Sequence, residues 1–140
     1  MEYLEAQILQ QQGNLDEATG VIESGIRLSR EKHMRKRLGG FLRLLGEVKT
    51  RRGEPENGLR DLLEALSIVE ALGNPRFLWQ THVSIASCYE RLKKLKNERQ
   101  HWRAAASAIE KAIQSLTDPQ DQSAFLGSPL VRGILSQVKP

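Results

Sequence analysis

Apolar residues recur along this chain at steps of three and four, the spacing that gathers side chains on one face of an α-helix. The pattern is densest over residues 77–116. There Trp79, His82, Val83, Ile85, Ala86, Tyr89 and Leu92 form one stripe, and Trp102, Ala105, Ala106, Ile109, Ala112, Ile113 and Leu116 form a second. Small residues such as Ala86, Ala104, Ala105 and Ala108 interleave with the large ones, so two helices can approach closely while the aromatics fill the gaps. The segment predicts a helical hairpin that cannot close a core by itself.

Its neighbours emerge when the chain is compared with itself at a shift of 40 residues. Ala6, Gly46 and Ala86 then align as a small residue inside each first helix, followed by Leu9 and Tyr89 with Lys49 as a misfit between them. Gly13 and Gly53 align at the turn, with Lys93 in the third copy. Ala18 and Gly58 follow, with Glu98 third; then Ile22, Leu62 and Trp102; then Gly25, Ala65 and Ala105. The expectation is one domain over residues 1–140. It divides into hairpins at about 1–30, 35–73 and 75–116, with a closing segment at 118–138.

The order small, turn, small, large, small resembles the tetratricopeptide repeat. Ala86-Ser-Cys-Tyr89 and Trp102-Arg-Ala-Ala105 carry the likeness best, and the stretch from Gly53 to Gly58 supplies the second turn. That family's usual repeat is about 34 residues, so the longer period here adds about one and a half to two helical turns per copy, shared between the helices or their connector. Longer repeats of this kind are similar to the C-terminal arrays of bacterial signal-transduction ATPases and cyclase-linked regulators, and residues 116–135 resemble their closing segment. The resemblance implies an all-α fold, a right-handed superhelical stack of three hairpins with a C-terminal capping helix. It also implies work as a protein–protein interaction scaffold in signalling or transcription regulation.

Breakers along the chain agree with this division. Gly13-Asn14 ends the first helix and Asp16-Glu17 opens the second, at the helix end that favours carboxylates. Glu54-Pro55-Glu56 and Gly73-Asn74-Pro75 restart helices, as do Thr117-Asp118-Pro119 and Ser128-Pro129. Gly39-Gly40 inside the third helix pattern marks either a loosened spot or a close helix contact. Leu130, Val131, Ile134, Leu135 and Val138 form a short stripe expected to cover the third hairpin. Met1 falls inside what should be a longer first helix, so the outer face of the first hairpin is expected to be an exposed apolar edge. An upstream domain or a second copy of the chain would cover it.

Hydrophobic content of 39% with 27% charged residues suits a folded chain, and 5% aromatics with few β-branched runs disfavour a sheet. The opening residues are acidic and mixed, unlike a secretory signal. No apolar run approaches the length of a membrane span. The one cysteine, Cys88, rules out an internal disulfide and fits a reducing, cytoplasmic setting as a buried thiol.

Net charge is +4. The cations concentrate in one run, Arg27, Arg30, Lys32, Arg35, Lys36 and Arg37, against Glu31 alone. One reading is a nucleic-acid or acidic-partner patch. The other is a solvated connector whose cations suit a helix C-terminus. No aromatic is interleaved to stack a base, which disfavours nucleic acid.

Motifs for catalysis, metal binding or phosphate binding are missing from the sequence, and neither enzyme activity nor a cofactor is expected. His82 leans toward a core face, and His101 is assigned to the exposed side of its helix. The resemblance places a concave groove on Tyr3, Gln7 and Gln11, then Arg43, Glu47 and Arg51, then Val83, Ser87 and Glu90 or Arg91. The Lys/Asn clamp of some family members is not present, because Arg43 with Glu47 and Val83 with Ser87 stand in those places. A mixed, polar groove implies a peptide or helix held by charge-assisted hydrogen bonds and a few apolar anchors. The alternatives are a homodimer formed through the first hairpin and a basic nucleic-acid-binding domain.

Overall fold

The computed structural model describes residues 2–138, with side chains from residue 3 onward; the reading of Met1 as a start inside a helix lies outside the described residues. Among these residues there are eight helices and no strand. They are α1 (Glu2–Gln11), α2 (Leu15–Glu31), α3 (Arg35–Arg51), α4 (Pro55–Leu72), α5 (Pro75–Arg91), α6 (Leu95–Gln114), α7 (Pro119–Gly127) and α8 (Pro129–Ser136).

The helices stop by one repeated device. Gly13, His33, Gly53, Gly73 and Lys93 all take positive φ, at 81, 54, 87, 73 and 59°, so a left-handed residue recurs every 20 positions. Around Gly13, His33, Gly53 and Lys93 two backbone bonds close the preceding helix end. The left-handed N–H reaches back to the carbonyl three residues earlier, and the next N–H reaches back five. This is the Schellman arrangement, which satisfies carbonyls that have no partner within the helix. The period of 40 is therefore two equal strides. Its extra length lies in helices of 17 or 18 residues (α2 to α5) rather than in the connectors.

The chain forms two compact units, Met1–Leu72 and Gly73–Pro140. In the first, α1 pairs with α2 and α3 with α4, and α3 also packs on α1 and α2. Ala6, Ala18 and Ile22 meet Phe41, Leu44, Leu45 and Val48 in one core. Leu38, Leu42, Ala65 and Ile68 form a second, between α3 and α4. Backbones come closest where Gly46 faces Gly58, since a Cβ on Gly58 would stand 2.6 Å from the Gly46 carbonyl oxygen. The Gly39-Gly40 pair resolves into close contact on two sides. A Cβ on Gly39 would press Ile68 and Val69 of α4, and one on Gly40 would meet the Tyr3 ring of α1 at 2.8 Å. Lys49, the misfit of the sequence comparison, reaches Asp61 of α4 at 2.8 Å as a half-buried ion pair.

In the second unit α5 and α6 form the hairpin, α8 packs on α6, and α7 packs on α8. Val131 and Ile134 of α8 are buried with Trp79, Ala86, Trp102, Ala105 and Ile109, so the closing segment does cover this hairpin. Phe125 of α7 meets Trp79 edge-on, with centroids 6.5 Å apart. Asn74 and Asp118 cap α5 and α7 by accepting from the backbone N–H groups of Arg76 and Gln120, at 2.9 and 2.8 Å. Cys88 is fully buried.

Candidate partner-binding surfaces

The expected groove positions of the first unit do come together, but largely by holding one another. Arg43 donates to Glu47 Oε2 and to the Tyr3 hydroxyl, both at 2.7 Å. Gln10 Nε2 donates to Glu47 Oε1 at 3.1 Å, and Arg51 Nη1 donates to the Gln10 carbonyl at 2.7 Å. Burial works to lower the Arg43 pKa, but Glu47 and Tyr3 outweigh it and hold the guanidinium above its ordinary value. Charge-assisted bonds of this kind, largely shielded from water, are the strong ones. Arg43 is therefore a tie between α1 and α3, not a side chain waiting for a ligand. That corrects the expectation that it grips a partner. Gln10, which the pattern did not single out, belongs to the same network; its signal is its place one turn after Gln7 on the α1 face.

Gln11 and Arg51 are exposed, and Gln7 is half-buried. In the second unit Ser87, Glu90 and Arg91 are exposed on α5, whereas Val83 packs against the Trp79–Trp102 core and does not stand open. His101 is corrected as well. It is half-buried, with Nδ1 2.9 Å from His82 Nδ1, and its ring stacks on Tyr89 with centroids 5.5 Å apart. Burial, with the neighbouring His101 adding to it, lowers the His82 pKa to about 4. Two imidazole nitrogens this close are joined by one hydrogen, one ring donating and the other accepting, so the pair clasps α5 to α6.

The basic run brackets the α2–α3 turn. Arg27, Arg30, Lys32, Arg35 and Lys36 are exposed and Arg37 is half-buried. Arg30 pairs with Glu64 of α4 at 2.9 Å in an exposed ion pair. Only half of the run sits where the helix dipole favours it. Arg27, Arg30 and Lys32 lie toward the C-terminal end of α2, but Arg35, Lys36 and Arg37 open α3, whose first turn holds no acidic residue. On α1, Leu4 and Ile8 are 56% and 45% exposed, an apolar pair one turn apart.

No protein-family model matches the chain, and no curated protein matches it in sequence. Among the described residues no three His, Cys, Asp or Glu side chains are grouped so as to hold a metal ion. No described helix is long and apolar enough to cross a membrane.

Proposed function

We propose that this chain is a tetratricopeptide-like repeat scaffold, a right-handed superhelical stack that binds a protein or peptide partner without catalysis, in the cytoplasm. The observation that carries the reading is the recurrence of the helical pair. Positions 6, 46 and 86 are buried in each hairpin, as are 22, 62 and 102 and again 25, 65 and 105. Left-handed stops recur at every half-period. Repeat arrays of this design bury one set of faces between neighbours and leave a continuous set for binding. In the first unit half-buried Gln7 with exposed Gln11 and Arg51 is the binding set, shaped from beneath by Arg43, and in the second unit exposed Ser87 and Arg91 are the corresponding set.

A photo-crosslinking residue placed at Gln7, Gln11 or Ser87 should capture one common partner in cells, and the same residue at Glu23, Arg60 or Glu110 should not. Adducts that form equally at both sets, or none at the first set, would overturn the reading. The exposed Leu4 and Ile8 favour a second reading, association of two copies through α1. Sedimentation of the wild type beside Leu4→Glu/Ile8→Glu tests it: a dimer that the double variant splits supports it, and a wild-type monomer ends it.

A further inference from the structure

A cavity of about 280 Å³ opens at the α2–α3 turn, lined by Ser29, Arg30, His33, Met34, Arg35 and Leu38. Its polar wall is incomplete. Ser29 is only 3% exposed, yet its hydroxyl has no hydrogen-bond partner among the described residues. The hydroxyl opens onto the cavity, where it can donate to a ligand. Arg35 likewise has no ion-pair partner among them, and only one nitrogen of Arg30 is taken up by Glu64.

The start of α3 adds to this. Met34 occupies the N-cap position and offers no side-chain acceptor to the first turn. Helix starts are normally capped by an oxygen and favour negative charge. Here Arg35, Lys36 and Arg37 put positive charge against the positive end of the dipole. Such an arrangement is disfavoured in the protein alone and is relieved by an anion. His33 holds the left-handed turn at φ 54°, where Gly13, Gly53 and Gly73 do the same task elsewhere, so its imidazole stands at the cavity in place of nothing.

We propose that this elbow is a docking site for an acidic segment of a partner protein, with one Asp or Glu carboxylate seated between Ser29, Arg30 and the start of α3. The carboxylate accepts from the Ser29 hydroxyl and the Arg30 and Arg35 guanidinium groups and acts as an external cap on α3. Met34 and Leu38 line the remaining wall, which suits the methylene stem of such a side chain better than a bare phosphate. Among the lining residues only His33 carries an aromatic ring, and no Phe, Tyr or Trp offers a broad face for a base to stack on. Electrostatic complementarity is supplied by Arg27, Lys32 and Arg37 around the rim. This site is separate from the binding set on α1 and α3, and either can fail without the other.

Fluorescence anisotropy with a labelled short peptide of alternating glutamate and leucine tests it. Arg35→Glu should weaken binding by about tenfold or more. It should leave the melting temperature unchanged or higher, since a carboxylate suits a helix start. Ser29→Ala should weaken binding by about threefold, from a lost hydrogen bond. Arg103→Glu makes the same charge change on exposed α6 and should matter by less than about twofold. The proposal is overturned if the peptide does not bind, or if Arg103→Glu costs as much as Arg35→Glu. It is equally overturned if single-stranded oligouridine binds more tightly than the peptide and loses affinity in Arg35→Glu, which would make the elbow a nucleic-acid surface.

Discussion

Replacing Gly58 by alanine should destabilise the first unit even though alanine is the better helix former. In the interior of a helix alanine is favoured over glycine by about 1 kcal/mol. At Gly58, however, the added methyl would stand 2.6 Å from both the Gly46 carbonyl oxygen and Thr50 Oγ1, and 3.2 Å from the Thr50 nitrogen. Two of these atoms are backbone. The third is held by its own bond to the Gly46 carbonyl at 2.7 Å, so no rotamer change clears the space. Overpacking costs about 1–3 kcal/mol or more, and a clash with backbone belongs at the upper end. The net expectation is a loss of about 2 kcal/mol. Gly20 is the control, a helical glycine of α2 whose Cβ would have nothing within 4 Å; Gly20→Ala should stabilise by about 1 kcal/mol. Urea unfolding followed by far-ultraviolet circular dichroism would separate the two, with opposite shifts in midpoint at an unchanged slope. A Gly58→Ala protein as stable as the wild type would refute the close α3–α4 approach, and with it the physical role given to small residues at these repeat positions.

Three further outcomes are expected. Tyr3→Phe removes the hydroxyl that accepts from Arg43 and should cost about 1–2 kcal/mol, whereas Arg43→Ala should cost about 3 kcal/mol or more by leaving Glu47 without its main partner; equal effects in urea titrations would contradict the network. The His82 pKa is about 4 in the folded protein and about 6.5 unfolded, so between those values the unfolded chain binds the extra proton. Stability of the second unit should therefore be full above pH 6.5 and decline toward pH 4, by about 1–2 kcal/mol once solvent screening of the partly exposed ring is counted. The fluorescence of Trp79 and Trp102 reads it, and His82→Leu should flatten the slope. Lys93→Gly should stabilise that unit by about 0.5–1 kcal/mol by relieving the left-handed strain at φ 59°, measured as a raised thermal midpoint, while Gly13→Ala should do the reverse in the first unit.

The helices and their ends were largely legible in the chain itself. Period-3.6 stripes, Pro75 and Pro119 at helix starts and Gly13, Gly53 and Gly73 at helix stops are local signals, because each concerns a backbone conformation set within a few residues. Two stops carried by His33 and Lys93 were harder to read, since only their twenty-residue spacing from the glycines marks them. The pairing of Ala6, Gly46 and Ala86 was equally visible, because close helix contact admits only small side chains. Such positions declare themselves by size.

Which polar side chains stay open to a partner was decided by tertiary structure alone. Tyr3 and Arg43 lie 40 positions apart in sequence, and nothing in either residue's local surroundings says that they will hydrogen-bond to each other. His101 likewise left the solvent side of α6 because His82 and Tyr89 of α5 were there to receive it. At the α2–α3 elbow the sequence showed a cluster of cations. Only the fold put half of them at the wrong end of a helix, beside the Ser29 hydroxyl on the wall of a cavity. A residue type fixes how much charge and how many hydrogen bonds a side chain can offer. Whether they are spent inside the protein or left for a partner depends on neighbours that only folding brings within reach.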